Sequence, residues 1–109
     1  MFRRDYIMRQ IQELTEALQR IAGLQREQRH VAALQEAGDA YGRFGVDEGL
    51  LRYMDAPSLV RLMGHRAAVD KLIELVELEA NSTEEPIEAE IRRQRAADLR
   101  AALDAAGLE

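Results

Sequence analysis

Apolar residues recur at alternating intervals of four and three along much of the chain, and only an α-helix places residues so spaced on one face. The first stretch shows this most clearly, at Ile7, Ile11, Leu14, Leu18 and Ile21. It predicts a helix that begins at Asp5, as its N-cap, and whose pattern ends near Gly23. Such a stripe either packs on its own domain or pairs with another copy. Its length of about two and a half heptads favours packing within the domain, because a coiled coil usually needs about three or more.

The middle of the chain predicts one longer helix and two short ones. The longer helix covers residues 27–41, and its apolar face includes Val31, Leu34, Gly38 and Tyr41. A short helix over residues 48–54 follows a glycine-rich turn. Asp55 is the expected N-cap of the next helix, with Pro57 in its first turn and Gly64 as its left-handed C-cap.

The last part of the chain predicts two further helices. Residues 65–79 carry a broad apolar face, which is typical of a helix buried on two sides and makes this the expected central helix. Ser82 and Glu85 have the spacing of a capping box, and Pro86 fits the first turn of the last helix. That helix ends near Gly107, and its apolar positions are Ile87, Ile91, Leu99 and Leu103.

These elements predict an all-α protein of about five to six helices, because no alternating pattern of β-branched residues occurs anywhere in the chain. We expect one domain over residues 1–109. It would consist of a helical hairpin at 5–41, short connecting helices at 48–64 and a second hairpin at 65–106, with the two hairpins stacked.

Two segments resemble known helical proteins. Residues 31–41 look like the second helix of a tetratricopeptide-type unit, with Ala33 and Ala40 seven apart at two of that repeat's small positions. The opening segment resembles a family of short bacterial proteins of unknown function with a tetratricopeptide-like fold, which begins with a Phe, a basic pair, an Asp-Tyr and an Ile-Met stretch, here MFRRDYIMRQI. That resemblance continues through the turn at 44–47. It implies an array of helical hairpins and supplies no activity, because the family has no established one.

Composition and spacing argue against most enzymatic functions. The chain has no cysteine, which removes disulfides, thiolate metal ligands and cysteine nucleophiles. Neither His30 nor His65 has a carboxylate or a second histidine three or four residues later on its helix. The glycines at 42–49 lack the Gly-Lys-Ser/Thr sequence of a phosphate-binding loop. We therefore expect no enzymatic activity, no metal and no cofactor.

The charges suggest where a partner could bind. The net charge of -5 argues against nucleic acid as the partner, although arginines outnumber acids in residues 1–30 and cluster again in the last helix. Ion pairs four residues apart, such as Arg9 with Glu13 and Glu88 with Arg92, would explain both clusters as ordinary helix surface.

Helices without catalytic groups favour a non-enzymatic protein-interaction or scaffold module of unknown pathway, self-associating as a homodimer, whose protein partner the sequence does not identify. The candidate interface residues are Phe2, Tyr6, Arg9, Arg92 and Arg95. The alternative is a binder of nucleic acid or of an anionic membrane surface through the Arg-rich N-terminus. No segment approaches the ~18 apolar residues of a membrane span, and no apolar signal core follows the first residues, so the expected location is the cytoplasm.

Overall fold

The computed structural model of the chain describes residues 4–46 and 48–108. No strand occurs in these residues, which confirms the predicted all-α class, and the prediction of five to six helices is also confirmed. The helices in order are α1 (Arg4–Arg26), α2 (His30–Phe44), α3 (Glu48–Tyr53), α4 (Ala56–Met63), α5 (Arg66–Ser82) and α6 (Pro86–Ala106).

Short-range signals define both ends of α4. The carboxylate of Asp55 accepts a hydrogen bond from the Ser58 hydroxyl at 2.8 Å and one from the Ser58 backbone N–H at 3.0 Å. These two bonds stabilise the ionised form and hold the pKa of Asp55 below its ordinary value. At the other end Gly64 has a left-handed φ of 72°, and its N–H donates to the carbonyl of Val60. The predicted N-cap and C-cap are thus confirmed.

The predicted starts of the first two helices are wrong. α1 begins at Arg4, so Asp5 lies inside the first turn instead of capping it. α2 begins at His30 rather than near residue 27. The cause of the later start is Gln28, whose φ of 58° lies in the left-handed region and interrupts a right-handed helix.

The predicted capping box at the start of the last helix is also wrong. Ser82 is the final residue of α5 and is buried, so its hydroxyl does not cap α6. The carboxylate of Glu85 does so instead, accepting hydrogen bonds from the backbone N–H groups of Ile87 at 3.1 Å and Glu88 at 2.7 Å. Pro86 occupies the first turn as predicted.

The four long helices form two antiparallel pairs. In the first pair, the side-chain amide of Gln10 near the start of α1 donates to the carbonyl of Arg43 near the end of α2, at 3.0 Å. In the second pair, Arg66 at the start of α5 lies 3.4 Å from the carboxylate of Asp104 near the end of α6. α4 packs against α6, and α5 contacts α1 and α2, so the pairs share one core.

α5 is the central helix, as the sequence predicted. It contacts α1, α2, α4 and α6, and its buried positions lie on more than one face. Five of its large apolar side chains are almost completely inaccessible to solvent: Val69, Leu72, Ile73, Leu75 and Val76. No helix in the described ranges is both long and apolar enough to cross a bilayer.

The apolar positions of α6 divide into two sets. Leu99 and Leu103 are buried in the core, together with alanines 89 and 96. Ile87 and Ile91 remain 70% and 56% exposed. The sequence pattern grouped both isoleucines with Leu99 and Leu103, but they lie on the exposed side of α6 rather than on its buried side. Val31, expected on the packed face of α2, is similarly 71% exposed.

Candidate interaction surface on the last helix

A groove of about 550 Å³ lies where α6 and α5 approach α3 and the end of α2. Its apolar lining comes from all four helices, with Tyr41 on α2, Leu51 on α3, Val76 on α5 and Ile91 on α6. The volume falls within the range of pockets that bind small molecules or single side chains. α6 forms one whole wall, so the arrangement of residues on this helix determines what the groove offers a ligand.

One stripe of α6 faces away from the protein core. It begins at Ile87 and follows intervals of four and three residues, the spacing that keeps positions on one face of a helix. We call this stripe the α6 seam, and all its members are exposed: Ile87, Ile91, Gln94, Asp98, Ala101 and Ala105. Three of them, Ile91, Gln94 and Asp98, also line the groove. The seam and the groove therefore form one continuous surface.

A network of charges closes the end of the groove near the start of α6. The carboxylate of Glu79 accepts hydrogen bonds from the Tyr41 hydroxyl at 3.2 Å and from Nε of Arg92 at 3.0 Å. Arg92 Nη1 also contacts Glu88 Oε2 at 3.1 Å, which is the ion pair predicted from the sequence. Burial by itself would lower the pKa of Arg92, but the charge of Glu79 and the bonds to Glu79 and Glu88 raise it above its ordinary value.

Arg95 is held differently. Its guanidinium Nη2 donates to the carbonyl of Met54, and its buried Nε has no hydrogen-bond acceptor. Within the described residues it makes no ion pair, and Asp98, one turn later, accepts from the side-chain amide of Gln94 at 2.9 Å. Arg95 therefore presents a positive charge at the groove that no carboxylate among the described residues neutralises.

The structure brings two of the five predicted interface residues together. Arg92 and Arg95 both line the groove, one turn apart on α6. Tyr6 and Arg9 lie on α1 and are exposed, but neither lines the groove. The predicted residue Phe2 lies outside the described part of the chain.

The sequence did not identify the apolar half of this surface. Leu51 and Tyr41 join the groove only because α3 and α2 approach α6 in three dimensions. Ile87 and Ile91 carry a detectable signal, since they begin a second stripe that ends at Ala105, but the sequence groups them with Leu99 and Leu103 as the apolar positions of one helix. Distinguishing the two stripes requires knowing that Ala89 and Ala96 are buried, and alanine is too small to mark a buried face.

The described residues do not assemble a metal centre. No group of three or more histidine, aspartate or glutamate side chains among them is arranged to hold a metal ion. Apart from Arg52, the charged groups that line the groove take part in the ion pairs and hydrogen bonds described above. What the surface offers is apolar contact beside fixed charges of both signs.

Comparison with known proteins adds no assignment. No family model, no curated protein and no solved structure matches this chain.

Proposed function

We propose that this protein is a non-enzymatic helical interaction module that self-associates through the α6 seam and the adjoining groove. The observation that carries the proposal is the position of Ile87 and Ile91. They lie a turn apart on the solvent side of α6, and Ile91 also lines the open apolar groove. Isolated exposed apolar residues are common on proteins, but clustered ones beside charged groups are typical of binding surfaces.

The energetics favour a modest, reversible association. Covering what remains exposed of each isoleucine contributes roughly 1–2 kcal/mol, and a symmetric dimer covers both side chains in each copy. Loss of translational and rotational freedom offsets much of this gain. The interface would belong with weak and transient ones rather than obligate ones.

The finer organisation is part of the same proposal. Two antiparallel helical pairs that meet through α5 are what a tetratricopeptide-like arrangement would need, and the opening segment resembles a bacterial family with that fold. Two such units are fewer than the ~3 that a stable array needs, so an exposed face requires a cover. A cysteine-free chain is also suited to the cytoplasm.

Sedimentation of the purified full chain between roughly 10 and 500 µM tests the proposal, because a weak dimer dissociates within that range. We expect the average mass to rise with concentration. The double variant Ile87→Ser/Ile91→Ser should remain monomeric. The matched control is Val31→Ser/Leu62→Ser, which removes two similarly exposed side chains, 71% and 61% accessible, that lie outside the groove.

Two results would contradict the proposal. One is a strict monomer at every concentration. The other is an association that the control variant weakens as much as the seam variant does, since that would indicate nonspecific hydrophobic association rather than a defined interface.

A further inference from the structure

The α6 seam has the spacing of a coiled-coil contact strip, and its flanking charges select one way of pairing. Ile91 and Asp98 occupy one set of core positions, and Ile87 and Gln94 alternate with them. Glu88 and Arg95 lie seven residues apart at equivalent positions on one flank of the strip. In two-stranded coiled coils such flanking residues contact the partner helix and set its orientation and register.

An antiparallel arrangement avoids the worst contact on the strip. In a parallel pair Asp98 of one copy would lie against Asp98 of the other, and like charges so close are destabilising. In an antiparallel pair with Ile91 opposite Gln94, Asp98 instead lies beside Ile87 of the second copy. That position is the N-terminal turn of the second α6, where the helix dipole stabilises a carboxylate.

Charge then fixes the register of the antiparallel pair. With Ile91 opposite Gln94, Glu88 of each copy faces Arg95 of the other, so two equivalent ion pairs form across the two-fold axis. A shift by one heptad in one direction places Glu88 against Glu88. The same shift in the other direction places Arg95 against Arg95. Only one register joins opposite charges at both sites.

Glu88 and Arg95 are only partly engaged within the described part of their own chain. Glu88 uses Oε2 for its bond to Arg92, and within the described residues its Oε1 accepts no hydrogen bond. Glu88 is exposed at the groove, and Arg95 lacks an ion-pair partner in the described part of its own chain. Since α6 is already folded against its own core, pairing does not require the free helix to form first.

We propose that two copies of this chain pair through α6 in an antiparallel two-fold arrangement, with Glu88 of each copy bound to Arg95 of the other. This inference rests on the proposed self-association and names its geometry. At 21 residues α6 is about 32 Å long, so the strip alone gives an interface at the small end of the specific range.

Charge reversal in mixed samples tests the pairing. Glu88→Arg alone creates two arginine–arginine contacts, and Arg95→Glu alone creates two glutamate–glutamate contacts. We expect each variant to self-associate at least roughly tenfold more weakly than wild type, because two attractive pairs become repulsive. An equimolar mixture of the two variants restores opposite charges at both sites. Sedimentation should therefore show a heterodimer about as strong as the wild-type dimer.

Disulfide trapping provides a second measurement, which does not use the charge variants and therefore still applies if those variants are unstable. The chain has no cysteine, so introduced thiols report without background. Under mild oxidation, Ile91→Cys mixed with Gln94→Cys should give mainly the mixed disulfide, because those positions face each other in the antiparallel register. A parallel pair would instead crosslink Gln94→Cys to itself.

The outcomes separate this inference from the function it rests on. If wild type associates and the seam variant does not, but neither the charge mixture nor the mixed disulfide forms, the seam is an interface with another geometry and the inference is wrong. If wild type never associates, both proposals fail together.

Discussion

A partly buried polar contact joins the C-terminal ends of α1 and α5. The side-chain amide of Gln25, near the end of α1, donates to the hydroxyl of Ser82 at 2.7 Å and also to the carbonyl of Leu78. Ser82 is only 2% exposed, and a hydroxyl in such a place is costly unless it is hydrogen-bonded. Gln25 therefore fixes where α1 ends relative to α5.

Removal of the Gln25 amide should destabilise the fold measurably. We expect Gln25→Ala to lower the free energy of unfolding by about 1–3 kcal/mol, the usual cost of leaving a buried polar group unsatisfied. Urea denaturation followed by circular dichroism measures it. Gln19→Ala, an exposed glutamine on the same helix, is the matched control and should change little. Equal effects of the two substitutions would show that the buried contact contributes nothing.

Residues whose role is local were predictable from the sequence, and those with distant partners were not. Asp55 and Ser58 are three positions apart, so the N-cap of α4 is visible in the sequence itself. Ser82 looked like a cap for the same reason. Its actual partner, Gln25, lies 57 residues away, and nothing in the local sequence indicates that contact.

At the scale of helices, glycine has opposite effects at two positions. Gly38 lies inside α2 and is exposed, with open space where a Cβ would be. Gly64 ends α4 with a φ of 72°, a conformation that side chains with a Cβ rarely adopt. Replacement by alanine should therefore change the free energy of unfolding in opposite directions at the two sites.

Gly38→Ala should raise the free energy of unfolding by roughly 0.5–1 kcal/mol, because alanine is the better helix former and restricts the unfolded chain. Gly64→Ala should lower it by about 1 kcal/mol through backbone strain at the cap. Thermal melts of the two variants beside wild type measure both, and each is the control for the other. If Gly64→Ala did not lower the free energy of unfolding, α4 would not require a left-handed C-cap, and if Gly38→Ala lowered it, alanine would not be the better residue at that position.

The existence and order of the helices followed from hydrophobic spacing, but the orientation of α6 did not. The spacing of apolar residues indicates which of them share a helix face. It does not indicate whether that face packs on the protein's own core or on another molecule. Ile87 and Ile91 satisfy the spacing rule together with Leu99 and Leu103, whereas the buried side of α6 is built partly from Ala89 and Ala96. Tertiary packing alone decides between the two faces.

At the scale of the whole molecule, the core and the α6 seam should affect stability in different ways. Leu72 is fully buried on the central helix, so Leu72→Ala leaves a cavity and should cost about 2–5 kcal/mol at any protein concentration. The seam is covered only when two copies meet. Its contribution therefore depends on mass action, which stabilises the folded state only as far as the dimer is populated.

This difference makes the melting temperature a readout of assembly. Above its dissociation constant, a wild-type dimer of this size should melt about 2–4 °C higher for each tenfold rise in concentration. Ile87→Ser/Ile91→Ser should melt at one temperature throughout, and Leu72→Ala should melt lower while it keeps the wild-type slope as long as it folds. Scanning calorimetry at several concentrations measures all three. If the seam variant showed the same slope as wild type, the concentration dependence would have to arise from a surface other than α6.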